Sequence, residues 1–144
     1  MSGMTKEDII KDLEENIYCR IARSPIEGVG VFAIREIPKG TRPLVTFADP
    51  EVIPIPEKEI AENKKIPAPV KEMVRSFYAA KDGIVYCSAH SFNEIDISYF
   101  LNHSKTPNLD TQEIDEESVF TANRAIHAGE ELTVDYSAFS DLCF

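Results

Sequence analysis

The sequence predicts a mainly β fold with an N-terminal helix and a short helical insertion. Short apolar runs separated by turns rich in glycine and proline are typical of small β-sheets. Two amphipathic stretches with helical spacing interrupt these runs. With 144 residues, 43% of them hydrophobic, the chain is expected to form one domain with a sizeable core.

The first element is a helix, which we place within residues 1–17. Thr5 can cap it, and Asp8 stands three residues later, as in a capping box. Four apolar residues recur at helical spacing, and we expect this stripe to pack across the main body. They are Ile9, Ile10, Leu13 and Ile17.

The first strands are expected from residue 18 onward. Residues 18–24 and 31–37 are strand candidates on either side of a glycine turn. A turn at Ile37–Gly40, with proline second and glycine fourth, leads to a third candidate at residues 44–47.

A proline-rich middle segment predicts a helical insertion, residues 57–82. Before it, residues 52–56 (VIPIP) are expected to be an irregular connection or a sheet edge, because proline donates no ladder hydrogen bond. A short polar helix should open the insertion. A longer helix should follow from about Pro69, and we expect Gly83 to end it.

The last third returns to strands. Residues 83–88 form one candidate, and residues 118–126 and 132–136 form two more, joined by a glycine-containing connection. Residues 110–117 predict an acidic hairpin or loop. We therefore expect one domain over residues 18–137 and a short tail over 138–144.

Composition limits the classes of function. Fifteen basic and twenty-five acidic residues give a formal net charge of −10, which argues against direct nucleic-acid binding. The charge favours basic protein partners, although solubility alone is the simpler explanation. We expect no membrane span and no signal peptide. The cysteines, Cys19, Cys87 and Cys143, are too scattered for a dense disulfide framework, so an intracellular location is expected, cytoplasmic, or nuclear in a eukaryote.

Three motifs carry polar residues or glycines where a strand pattern would not require them. Taken singly, the first predicts a hairpin turn, and the second and third predict a structural histidine and a packed tyrosine. The three motifs are Gly28-Val29-Gly30-Val31-Phe32-Ala33, Phe100-Leu101-Asn102-His103-Ser104 with Pro107-Asn108, and Gly129-Glu130-Glu131-Leu132-Thr133 with Asp135-Tyr136. In this order and spacing they resemble the SET-domain protein lysine methyltransferases, over residues from about 18 to 136.

The resemblance implies a β-clip fold, in which several small sheets surround a pseudoknot, and S-adenosylmethionine as cofactor. Gly28-Val29-Gly30 matches the loop that meets the methionine part of the cofactor. Asn102 matches the residue that holds its amino group, and His103 the residue whose backbone meets the adenine. Tyr136 matches the catalytic tyrosine, whose hydroxyl faces a lysine amine of a basic protein, histone or other. No metal is implied.

The chain departs from the family pattern in two places, the first of which leaves one wall of the cofactor or lysine channel unassigned. The frequent Tyr-x-Gly motif is missing from residues 44–48, and one cysteine after the last motif cannot form the zinc site found in many members. Phe139 or Phe144 is the candidate to lie against the adenine, with C-terminal packing as the alternative. The position that limits the number of methyl groups falls near Thr111.

Two other functions stay open at this point. A SET-fold protein-binding module with weak or no turnover is the main alternative, and the missing Tyr-x-Gly motif favours it. A metal hydrolase is a distant third, since its candidate ligands lack helical spacing such as HExxH. Those ligands are Cys87, His90, His103 and His127.

Overall fold

The computed structural model describes residues 5–45, 52–89, 91–114 and 117–138. In these ranges the chain forms a four-stranded sheet in the order β1-β2-β9-β6, a three-stranded sheet in the order β3-β5-β4, and the hairpin β7-β8. The mainly β class in several small sheets is confirmed, and the pseudoknot stays a prediction. The elements are α1 (Lys6–Glu15), β1 (Cys19–Arg23), β2 (Val29–Ala33), β3 (Val52–Pro56), α2 (Glu57–Ala61), α3 (Ala68–Phe77), β4 (Ala79–Lys81), β5 (Ile84–Ser88), β6 (Asn102–His103), β7 (Leu109–Ile114), β8 (Glu117–Ala122) and β9 (Glu131–Val134).

Helix α1 begins as its sequence predicts, but it does not pack as expected. The Thr5 hydroxyl accepts from the Asp8 N–H at 3.1 Å, and the Asp8 carboxylate accepts from the Thr5 N–H at 3.0 Å. Ile9, Ile10 and Leu13 of the apolar stripe are exposed, Leu13 by 59%, whereas Ile17, beyond the end of the helix, is half-buried. The capping box is a local device; contact with the main body needs a facing surface, which the sequence pattern cannot supply.

Three details of the first half differ from the predictions. Strand β2 ends at Ala33, and the chain bends before Ile37 forms an isolated bridge with Ile126. The turn lies one residue later than predicted: the Thr41 N–H donates to the Pro38 carbonyl at 3.1 Å, and Gly40 supplies a φ of +89°. Leu44 and Val45 are not in a strand, and residues 46–47 lie outside the described residues.

The predicted helical insertion also contains a strand, β4, which forms a β-hairpin with β5 directly after the insertion. Strand β3 is the edge of its sheet, so the edge reading of VIPIP is confirmed. Helix α3 ends at Phe77, not at Gly83, because Tyr78 is already extended and β4 follows directly. Asp82 and Gly83 both have positive φ, 54° and 77°, and form the tight turn into β5.

Two apolar cores hold these sheets. The second core lies between α3 and its neighbouring strands and includes Val74, Tyr78, Ala80, Val85 and Cys87. The main core draws on both β8 and β9, but β8 pairs with β7, and β9 pairs with β2 and β6. The two predicted strands of the last third therefore belong to different sheets. The main core includes Val31, Ile37, Leu101, Leu109, Ala122, Ile126, Leu132 and Val134.

In the described ranges, no helix has the length and apolar character needed to cross a bilayer.

Candidate active site

The polar centre of the site is the side-chain amide of Asn102, on the short strand β6. Strand β6 runs parallel to β9, with Asn102 opposite Thr133. Asn102 is 8% exposed. Its Nδ2 donates to the carbonyls of Glu27 at 3.2 Å and Val29 at 3.1 Å, and it lies 3.1 Å from the Ser24 hydroxyl. The amide thus ties β6 to the loop between β1 and β2.

A carboxylate completes this cluster. Glu131, the first residue of β9, accepts from Asn102 Nδ2 at 2.8 Å and from the Ser24 hydroxyl at 2.7 and 2.8 Å. The Asn102 amide has two hydrogens but four acceptors within reach. The cluster therefore holds more acceptors than donors, an arrangement suited to a cationic ligand.

Gly30 is required by the close approach of that carboxylate. The residue lies in β2 opposite Ala22, and only Gly28, with a φ of +47°, lies in the loop. A β-carbon on Gly30 would lie 2.9 Å from Glu131 Cδ, nearer still to its Oε2, and 3.1 Å from Asn102 Nδ2. The glycine motif therefore lies mostly in a strand. The hairpin turn that the motif alone predicted begins earlier, at Ser24.

Tyr136 begins a short 3-10 turn one residue after the end of β9. The N–H and hydroxyl of Ser137 both donate to the Asp135 carboxylate, which lowers the pKa of Asp135 and fixes the turn. The Tyr136 hydroxyl donates to the Leu101 carbonyl at 2.6 Å. Burial raises the pKa of Tyr136 above its ordinary value, and the carboxylates of Glu27 and Glu131 raise it further.

The ring of His103 binds the backbone of Tyr136. The Tyr136 N–H donates to His103 Nδ1 at 3.1 Å, and the two ring centres are 5.2 Å apart. Since Nδ1 accepts this bond, the neutral ring carries its proton on Nε2. The structure therefore joins Asn102, His103 and Tyr136, as the resemblance implies. Phe139 and Phe144 lie outside the described residues.

Sequence reasoning gave no role to Ser24 or Glu131. Glu131 stands in the third motif, but a single sequence does not distinguish it from its neighbour Glu130, which pairs with Arg124 at 2.9 Å. Ser24 reads as the end of a strand. Both come together with Asn102 only through the strand order. Thr111 is half-buried in β7, and its hydroxyl has no hydrogen-bond partner among the described residues.

A metal centre has no support in the described ranges. They hold no group of three or more histidine, cysteine, aspartate or glutamate side chains placed to bind a metal ion. Burial raises the pKa of the Cys87 thiol, which disfavours the thiolate that a metal requires. His90 lies outside these ranges, and His127 pairs with Glu36 at 2.9 Å.

Comparison with known proteins adds two findings on sequence. Residues 28–137 match the family model of the SET domain. The chain is similar to the histone-lysine N-methyltransferase trr of Drosophila melanogaster, with 29% identity over 133 residues. The match covers 88% of this chain but 5% of that protein, so the chain spans a small part of its relative's length.

A solved structure resembles the fold. It is a humanized mutant of the Chaetomium thermophilum Polycomb Repressive Complex 2 bound to an inhibitor, with 22% sequence identity and a TM-score of 0.54. The likeness covers 93% of this chain and 16% of that chain. At this identity the likeness concerns the fold.

Proposed function

This chain belongs to the SET-domain family, and on that premise we propose that it is a protein-lysine N-methyltransferase. The proposed reaction moves a methyl group from S-adenosylmethionine to the side-chain amine of a lysine in a basic protein segment, histone or other. The observation that carries the proposal is the convergence of Tyr136 on the segment that bears Asn102. An intracellular location, cytoplasmic or nuclear, belongs to the same proposal.

The residues present fit this cofactor. The acceptor-rich cluster at Asn102 suits an α-ammonium group, and Gly30, which has no side chain, lets the Glu131 carboxylate approach that cluster. When bound, S-adenosylmethionine would supply a methyl group on a sulfonium: the neutral amine would form the new N–C bond as the C–S bond breaks, so that a neutral thioether leaves and the positive charge passes to the methylated amine. We assign the methionine part to Gly28-Val29-Gly30 and Asn102, the adenine side to the His103 backbone, and leave Phe139 as a candidate for the adenine.

Tyr136 is proposed to orient the amine. Its hydroxyl donates its proton to the Leu101 carbonyl, and a phenol oxygen that donates its proton in one direction can accept an N–H of the lysine amine from another. Its raised pKa keeps the phenol protonated at neutral pH, which argues against a phenolate base. Neutralising a free lysine of pKa near 10.4 at pH 7.4 requires about 4 kcal/mol, and a desolvated channel lowers that requirement.

We propose that the acidic hairpin draws in the basic substrate. Strands β7 (Leu109–Ile114) and β8 (Glu117–Ala122) pair antiparallel, and Asp110 is exposed on β7. Attraction between opposite charges speeds association, and added salt weakens this attraction. The changes Glu116→Lys and Glu117→Lys should raise the KM of a lysine peptide with basic flanks but not of one with neutral flanks. The matched control, Glu14→Lys with Glu15→Lys on α1, should leave both values unchanged.

The activity test uses labelled S-adenosylmethionine and a pool of basic proteins. Mass spectrometry should find methylated lysine with the wild-type chain, and the Tyr136→Phe variant should lose most of the signal. Binding of the cofactor without turnover, equal in both proteins, would instead favour the protein-binding module. Absence of cofactor binding to the wild-type chain would contradict the proposal.

A further inference from the structure

We propose that Glu131, positioned by Ser24, is the counter-ion for the α-ammonium group of the methyl donor. This inference rests on the proposed function and adds a residue to it. The resemblance assigns the amino group to Asn102. The structure places a negatively charged group against that amide, at 2.8 Å.

The contacts of Glu131 suit a shared cation better than a closed internal network. Its carboxylate takes one hydrogen from Ser24 and one from Asn102, both neutral donors. In the described part of the chain, no Lys, Arg or His lies within ion-pair distance of Glu131; its neighbour Glu130 has such a partner in Arg124. A partly buried carboxylate without a cation retains a strong attraction for one.

The two nearby carbonyls add to this preference. Glu27 and Val29 aim their backbone oxygens at the same nitrogen of Asn102. An ammonium group brings three N–H donors, enough to satisfy acceptors that the two hydrogens of one amide cannot serve together. A hydroxyl or methyl group in its place would leave charge and acceptors unpaired.

Ser24 fixes the direction of the carboxylate. Its hydroxyl donates to Glu131 and accepts from the Ile26 N–H at 3.0 Å, while its own N–H donates to the Gly28 carbonyl at 2.9 Å. The carboxylate is thereby held to the loop that bears the glycine motif. Its field reaches the reaction centre, since it contributes to the raised pKa of Tyr136.

The test is the preference for the amino group, measured by calorimetry on the free protein. The ligands are S-adenosylhomocysteine and its analogue with hydrogen in place of the amino group. Wild-type protein should bind the first about tenfold or more tightly than the second, as a charged hydrogen bond requires. Glu131→Gln keeps the size of the side chain and should remove most of this preference. Ser24→Ala should reduce it in part.

The matched control is Glu130→Gln, which removes a carboxylate one residue away and should keep the wild-type preference. Thermal unfolding shows whether Glu131→Gln is folded. If it is not, the binding preference of Ser24→Ala alone tests the proposal. An unchanged preference in Glu131→Gln, with both ligands still bound, would overturn the role of Glu131 and leave the proposed function standing. If wild-type protein bound neither ligand, the proposed function itself would fail.

Discussion

The hydroxyl of Tyr136 donates a hydrogen bond to the backbone carbonyl of Leu101 at 2.6 Å, although the two residues lie 35 positions apart. The same tyrosine donates its backbone N–H to the ring of His103. Both ends of Tyr136 are therefore fixed to the segment that carries Asn102. The proposed site for the methyl donor, at Asn102, and the proposed site for the lysine amine, at Tyr136, are therefore held together by these two hydrogen bonds.

Removing this hydroxyl should impair catalysis far more than folding. Tyr136→Phe loses the bond to Leu101 and the oxygen that would orient the amine, and misplacement of reacting groups lowers rates by about 10²-fold. We expect kcat to fall by about that factor while cofactor affinity stays near the wild-type value. Methyl transfer and calorimetry would measure both. Tyr86→Phe, at an exposed position of β5, serves as the control, and an equal loss there would refute a specific role for Tyr136.

A methyl group on Gly30 should displace Glu131 without unfolding the chain. The nearest atoms to the new β-carbon belong to the end of the flexible Glu131 side chain, which can move away. We expect Gly30→Ala to weaken cofactor binding about tenfold and to lower stability by less than about 3 kcal/mol. Gly83→Ala, in the turn between β4 and β5 with a φ of +77°, should lower stability but spare binding. Unchanged cofactor affinity in Gly30→Ala would contradict the contact.

Asn108 is expected to be a structural residue. It is 4% exposed; its Nδ2 donates to the Glu131 carbonyl at 2.8 Å, and its Oδ1 accepts from the Thr133 N–H at 2.9 Å. Asn108→Ala leaves both backbone groups without partners, so we expect a loss of about 2–4 kcal/mol in the free energy of unfolding. Urea denaturation would measure it. The exposed Asn93→Ala should change stability little, and similar values for the two variants would argue against this role.

The pKa of His127 should depend on its contact with Glu36. Their side chains meet at 2.9 Å beside the bridge of Ile37 and Ile126, and the hydrogen bond and charge of Glu36 raise the pKa of His127. Because the folded-state pKa is raised, the stabilising effect is complete below about 6.5 and is lost as pH rises through the folded-state value. NMR titration should show the pKa falling toward 6.5 in Glu36→Gln. No change in that variant would disprove the pairing.

Local features were predicted well because they depend on few neighbouring residues. The capping box of Thr5 and Asp8 defined α1, and the prolines of VIPIP predicted an edge strand. The predicted end of α3 was wrong because a helix can end without a glycine when the residues that follow pair as a strand. Ala79–Lys81 pair in this way with β5. The resemblance predicted that Asn102, His103 and Tyr136 meet.

The sequence alone determined the strand-rich class, the start of α1 and the three motifs. Only the tertiary structure decided that the apolar stripe of α1 is exposed, that Gly30 accommodates a carboxylate, and that Ser24 meets Glu131 across 107 positions of the chain. Caps and turns act within a few residues, whereas such long-range contacts depend on which strands become neighbours. The order β1-β2-β9-β6 brings them together.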